Sequence, residues 1–168
     1  MVGFKIGRTE IIIRFSFLLF NGLVFLFRDS GIILSFYAVC LIHELGHITA
    51  IIFSDGEIKS VELSGYGIRI ETSPVFSVFG GLAVLLSGPL ANIITFFLLC
   101  KSDIFNFLSV LSLWEGIYNL LPFSFLDGGC AVRLIISGSE NEQKYEALRK
   151  AACAAAAVAL IIFVLNAE

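Results

Sequence analysis

The chain has 168 residues, of which 58% are hydrophobic and 15% charged, and its mean hydropathy is +0.94. This composition excludes an ordinary soluble enzyme and predicts a polytopic membrane protein with a single domain, residues 1–168. The net charge of −3 does not indicate a class of partner, and no basic patch interleaved with aromatic residues suggests nucleic acid.

Five apolar segments follow one another, and we expect each to form a transmembrane helix. A segment of different character separates the second from the third: near residues 57–71, apolar and polar side chains alternate around Gly65 and Gly67, which predicts a membrane-associated β-hairpin. The expected fold is therefore all-α with a small hairpin. The predicted spans are Ile11–Phe27, Ile32–Phe53, Val75–Cys100, a fourth from Ile104 to Ile136 that is broken at Pro122–Asp127, and an alanine-rich C-terminal helix, Ala151–Leu165.

Basic residues are distributed unequally between the two ends of these spans. Only Arg28 and Lys101 fall on the side opposite the N-terminus, and the positive-inside rule then predicts a cytoplasmic N-terminus and hairpin. The basic residues on the N-terminal side are Lys5, Arg8, Arg14, Lys59, Arg69, Arg133, Lys144, Arg149 and Lys150.

The second span contains a motif that is unusual inside a membrane, His43-Glu44-Leu45-Gly46-His47. The two histidines are the only ones in the chain, and a spacing of four places both rings on one face of a helix. This is the pattern of a zinc hydrolase, in which two imidazoles hold the metal and the glutamate acts on a water molecule. It predicts one Zn²⁺ per chain, near the cytoplasmic face.

A hydrolytic zinc needs a third protein ligand, and no other histidine is present. The acidic residues at membrane depth are Glu44 itself, Glu115 and Asp127. A charge in the bilayer costs about 2.5–3.5 kcal/mol, so each is a candidate functional residue. Asp127 is favoured because Pro122 precedes it and Gly128-Gly129 follows it. Such irregular backbone is tolerated in a membrane only where it lines a cavity or is buried in protein.

Three motifs, in this order and on apolar segments, resemble the site-2 protease family of intramembrane zinc metalloproteases. They are His43–His47, Gly88-Pro89-Leu90-Ala91-Asn92, and Asn119-Leu120-Leu121-Pro122 leading to Leu126-Asp127-Gly128-Gly129. The resemblance covers about Lys5–Ile136. In the absence of a PDZ or CBS domain, the chain is most similar to the compact bacterial branch, which includes sporulation proteases that process sigma-factor precursors.

The resemblance implies His43, His47 and Asp127 as zinc ligands and Glu44 as general base. We further expect Asn92 and Asn119 to bind the substrate, although Gly88-Pro89 can equally be a packing face and Asn119 can equally cap backbone groups freed by Pro122. The departures from the family pattern are Cys130 in place of an arginine, Phe125 in place of a proline, and Arg14-Phe15 in place of His-Pro.

The expected function is hydrolysis of peptide bonds within or next to transmembrane segments of a single-span or membrane-associated protein, in a bacterial cell membrane. A membrane-protein regulator is a possible further partner. Two alternatives stay open: a pseudoprotease that binds clients without cleaving them, and a metal transporter. The intact Glu44 argues against the first, and the lack of paired inverted repeats argues against the second.

Overall fold

A computed structural model describes residues 1–27, 30–65, 67–73, 77–102, 105–138 and 143–151. The described chain is mainly helical, and four strands form one sheet at one end of the helices. In chain order the elements are β1 Val2–Ile6, β2 Thr9–Ile13, α1 Phe15–Phe27, α2 Ser30–Phe53, β3 Ile58–Ser64, β4 Gly67–Thr72, α3 Val78–Leu99, α4 Asn106–Asn119 and α5 Asp127–Ile136. Residues 143–151 are also helical.

The four-stranded sheet corrects the prediction of an all-α fold. The predicted hairpin is present as β3 and β4, but the N-terminal strands β1 and β2 extend it, and β2 lies parallel to β3. Ile11–Ile13 therefore belongs to a strand and not to the first span, whose helix begins at Phe15.

The register of the sheet makes it amphipathic. One row across the four strands reads Phe4, Ile11, Val61 and Ile70, and the next row reads Lys5, Glu10, Ser60 and Glu71. Because neighbouring residues of a strand face opposite sides, the first row is on an apolar face and the second on a polar face.

Two described helices are long and apolar enough to cross a membrane, Gly31–Phe53 and Val78–Leu99. Helices α1 and α4 have 13 and 14 residues and are shorter than a perpendicular span requires. The five predicted spans are therefore not confirmed, and the predicted helix Ala151–Leu165 lies outside the described residues apart from its first position. Large apolar side chains on the long helices are exposed, as in Phe53 (85%), Phe79 (86%) and Leu98 (76%), which suits contact with lipid.

Helix α1 is tied to the sheet by a group of polar contacts. The Arg14 amide donates to the Leu63 carbonyl over 2.9 Å. The Arg14 guanidinium forms a two-pronged ion pair with Glu62, with Nη2 3.1 Å from Oε2. The Ser16 hydroxyl accepts a bond from the Gly65 amide at 3.1 Å. Arg14, a departure from the family pattern, thus anchors the first helix.

We expect the Arg14–Glu62 pair to stabilise the fold only above acidic pH. The hydrogen bond from Arg14 lowers the pKa of Glu62, with the charges of Arg14 and Arg69 adding to the effect. A lowered folded-state pKa gives stability that is complete above the ordinary glutamate pKa and is lost as the pH falls through the lowered value. Thermal unfolding in detergent should show Glu62→Gln less stable than the wild type at pH 7, with the difference shrinking at pH 3. A pH-independent difference would contradict this assignment.

Candidate metal centre

Helix α2 presents the two histidines toward α3 and α5, near its sheet-side end. His43 and His47 lie ten and six residues before the end of α2 at Phe53, or about 15 and 9 Å along the axis. His43 is 6% exposed. The ring centroids are 4.7 Å apart and nearly perpendicular, so their Nε2 atoms approach to 3.0 Å.

Asp127 completes the cluster from the first position of α5. Its Oδ2 atom lies 3.0 Å from His43 Nε2 and 3.1 Å from His47 Nε2. The three side chains offer ligand atoms that all lie within 4.8 Å of one another. An acidic residue is also favoured in the first turn of a helix, where it faces the positive end of the helix dipole.

The loop before α5 explains why Asp127 reaches this position. A Cβ atom on Gly128 would overlap the Leu120 carbonyl, and one on Gly129 would overlap the Phe123 carbonyl. The two glycines therefore let α5 begin directly against the loop that follows α4. The Cys130 thiol donates to the Ser124 carbonyl over 3.6 Å. Cys130, which stands where the resemblance predicts an arginine, therefore contacts the same loop.

Close contact between α2 and α3 shapes the other side of the cluster. A Cβ atom on Gly46 would lie 2.6 Å from the Ser87 carbonyl oxygen. A Cβ atom on Gly88 would lie 2.7 Å from His47 Cε1 and 2.9 Å from His43 Cε1. The Gly88-Pro89 segment is thus a close-packing face for the histidine rings, one of the two readings of this motif.

Helix α3 also contacts the Nδ1 atom of each histidine ring. His47 Nδ1 is 2.8 Å from the carbonyl oxygen of Val84. A carbonyl only accepts, so His47 Nδ1 carries a hydrogen and its Nε2 keeps a lone pair for a metal. The amide of Asn92, a residue with no exposed surface, is 3.4 Å from His43 Nδ1. Sequence patterns could not reveal the Val84 contact, because it uses a backbone group.

The remaining predicted residues, Glu44 and Asn119, make different contacts. Glu44 is half-buried and interacts electrostatically with both histidines and with Asp127. The Asn119 amide donates to the carbonyl and to the carboxylate of Glu115, at 3.2 and 3.1 Å. The substrate-binding roles of Asn92 and Asn119 stay predictions.

The donor set fits a hydrolytic zinc. Two neutral imidazoles and one carboxylate are a known ligand combination for catalytic zinc, and this combination leaves a fourth position for water. The Val84 carbonyl accepts from His47 Nδ1–H, the kind of contact that orients a metal-binding imidazole. His43, His47 and Asp127 are therefore the residues that can hold one zinc ion.

Comparison with solved structures finds similar folds. The site-2 protease from Methanocaldococcus jannaschii is similar with a TM-score of 0.69 and 24% sequence identity, over 99% of this chain and 85% of that chain. The chain has the site-2 protease fold. The resemblance predicted from the three motifs is thus confirmed at the level of fold. No protein-family model and no curated protein matches the sequence.

Proposed function

We propose that this protein is an intramembrane zinc metalloprotease that hydrolyses peptide bonds within or next to the transmembrane segments of membrane-anchored proteins. The observation that carries the proposal is the His43–His47–Asp127 cluster, with ligand atoms within 4.8 Å and a glutamate beside it, built on a helix long and apolar enough to cross a membrane. The site-2 protease fold supports it.

The chemistry divides between the metal and Glu44. Zinc, when bound, supplies a Lewis acid that acidifies water and polarises a peptide carbonyl. Glu44 takes a proton from the attacking water and later delivers it to the leaving amine, which is general base and then general acid catalysis. His43, His47 and Asp127 fix the position of this chemistry within the apolar surroundings of α2, α3 and α5.

The substrate must be a helix that unwinds locally, because the carbonyls of an intact helix are hydrogen-bonded and covered. An unwound segment needs partners for its backbone groups, since lipid provides none. Strand β4 is an edge of the sheet, at the same end of the helices as the histidines, and can pair with an extended segment by strand addition. We propose a single-span or membrane-associated protein as substrate.

The proposed setting is a bacterial cell membrane, with the N-terminus, the sheet and the active site toward the cytoplasm. The distribution of lysine and arginine supports this orientation. Cleavage there releases a soluble product into the cytoplasm, as regulated release of a transcription factor requires. A membrane-protein regulator fits this arrangement as a second partner.

The test is reconstitution of the purified chain with a panel of single-span substrates. We expect zinc to copurify at one ion per chain, and cleavage to stop on chelation and to return when zinc is added. Asp127→Asn should lose zinc and cleavage together, because a neutral amide is a much weaker ligand than a carboxylate. A wild-type protein that cleaves after zinc is stripped would refute the proposal.

A further inference from the structure

The two histidines of the cluster differ in the group that contacts their Nδ1 atoms. Each uses Nε2 toward the other and toward Asp127, at 3.0–3.1 Å, so Nε2 is the metal-facing atom in both. A neutral imidazole that offers Nε2 to a metal carries its hydrogen on Nδ1, and that hydrogen needs an acceptor. His47 has the Val84 carbonyl. The corresponding group beside His43 is the side chain of Asn92.

We propose that Asn92 is a positioning residue for the zinc ligand His43, whose Nδ1–H its side-chain oxygen accepts. This inference rests on the proposed zinc site and assigns Asn92 to the metal centre instead of the substrate. Asn92 is fully buried, and its amide lies 3.4 Å from His43 Nδ1. When His43 binds a metal through Nε2, its Nδ1 carries a hydrogen. An amide nitrogen at that contact would then place the N–H of Asn92 against the Nδ1–H of His43, and both groups are donors.

An unpartnered atom supports the opposite orientation of the amide. Within the described residues, Asn92 Oδ1 is buried and has no hydrogen-bond partner when the nitrogen faces His43. A buried carbonyl without a partner costs about 1–3 kcal/mol. A half-turn about the Cβ–Cγ bond gives this oxygen a donor, because it brings the oxygen to the Nδ1–H of His43.

Helix α4 packs closely against α3 at Asn92. A Cβ atom on Gly116 of α4 would lie 3.4 Å from Asn92 Cβ, and the Ser109 hydroxyl donates to Phe96 at 3.4 Å. Ser112 lies between Gly116 and Ser109 on α4, and its buried Oγ has no partner in the described part of the chain. Asn92 Oδ1 and Ser112 Oγ do not bond to each other, so the His43 ring is the hydrogen-bonding group that the Asn92 amide contacts among the described residues.

If Asn92 positions His43, the zinc affinity of the protein depends on Asn92 Oδ1. Groups that orient a metal-binding histidine typically contribute 10- to 100-fold to metal affinity. We expect Asn92→Leu to weaken zinc binding by roughly 10- to 100-fold. Asn92→Asp retains an acceptor and should bind zinc close to the wild-type affinity. A purely substrate-binding Asn92 predicts the contrary, with cleavage reduced and zinc affinity unchanged in Asn92→Leu.

The experiment measures zinc affinity of the full chain in detergent by competition with a chromophoric chelator, together with the visible spectrum of the Co²⁺-loaded protein. The matched control is Thr95→Val, which removes a hydroxyl on the same helix that donates to the Ala91 carbonyl of α3. Metal-free thermal unfolding checks each variant. If Asn92→Leu does not fold, Asn92→Ala removes the acceptor without adding bulk and carries the same expectation.

The outcomes separate the two proposals. Weaker zinc binding and an altered Co²⁺ spectrum in Asn92→Leu, with Asn92→Asp and Thr95→Val near the wild type, would support the positioning role. Wild-type zinc affinity in Asn92→Leu would overturn it and leave the protease proposal intact. An equal loss in Asn92→Asp would also overturn it, because the acceptor would then not matter. A wild-type chain that binds no zinc would overturn both.

Discussion

Glu44→Gln is expected to reduce cleavage by roughly 100- to 10,000-fold while zinc stays bound. Glutamine matches glutamate in size but cannot take a proton from water. The proposed metal ligands His43, His47 and Asp127 are untouched, and the contacts of their ligand atoms with one another do not involve the Glu44 carboxylate. Cleavage of a reconstituted single-span substrate and the zinc content of the same preparation provide the two measurements.

Glu115→Gln is the matched control for this variant. Glu115 is the other glutamate at this depth, on α4, and its carboxylate accepts a bond from Asn119 that a glutamine oxygen can also accept. We expect Glu115→Gln to cleave at a rate close to the wild type. Retained cleavage in Glu44→Gln would remove the general-base assignment, and with it the proposed mechanism.

Gly88→Ala is expected to damage the metal centre without touching a ligand. The new methyl group would lie within 3 Å of atoms of both histidine rings, so the rings must move or α2 and α3 must separate. Overpacking of this kind costs about 1–3 kcal/mol, and displaced ligands lose metal affinity. We expect zinc affinity to fall at least about tenfold, as for other disturbances of ligand orientation, and cleavage to fall with it. Chelator competition measures the affinity directly.

Gly22→Ala separates this effect from a general intolerance of alanine in the helices. Gly22 lies within α1, and its position has no atom within 4 Å of an added Cβ among the described residues. The substitution should leave zinc affinity and cleavage unchanged. If Gly88→Ala also behaved as the wild type, the close packing of α3 on the histidine rings would not be needed for the site.

The sequence predicted the long helix α2 correctly, because its apolar run is long enough to decide for a helix. It failed at Ile11–Ile13, where an apolar strand is followed almost directly by an apolar helix. The predicted second span Ile32–Phe53 matches α2, which begins at Ser30. Ile11–Ile13 reads as the start of a span because a short apolar run fits a strand or a helix equally. Its true state depends on pairing with β3, fifty residues further along the chain, which local patterns do not encode.

The residues of the His43–His47–Asp127 cluster could be predicted from the sequence, but the contacts that hold the two histidine rings could not. The spacing of His43 and His47 predicts one helix face, and the proline and glycines around Asp127 mark a broken helix that reaches back into the protein. The contact of His47 with the Val84 carbonyl has no sequence signal, since every residue has a carbonyl. The contact of Asn92 with His43 depends on how α2 and α3 pack. Gly46 and Gly88 allow this close packing, but glycines in a sequence do not by themselves predict it.

The parallel pairing of β2 with β3 constrains how the chain enters a membrane. Two hydrogen-bonded strands lie on the same side of a bilayer, yet α1 and α2 separate them in the chain. A polypeptide that crosses once through α2 must therefore make a return crossing between β2 and α2. If α1 and α2 both cross the bilayer, β2 and β3 can pair only after both crossings are complete. The β2–β3 pairing is then compatible only with a chain whose first two helices cross the bilayer in opposite directions.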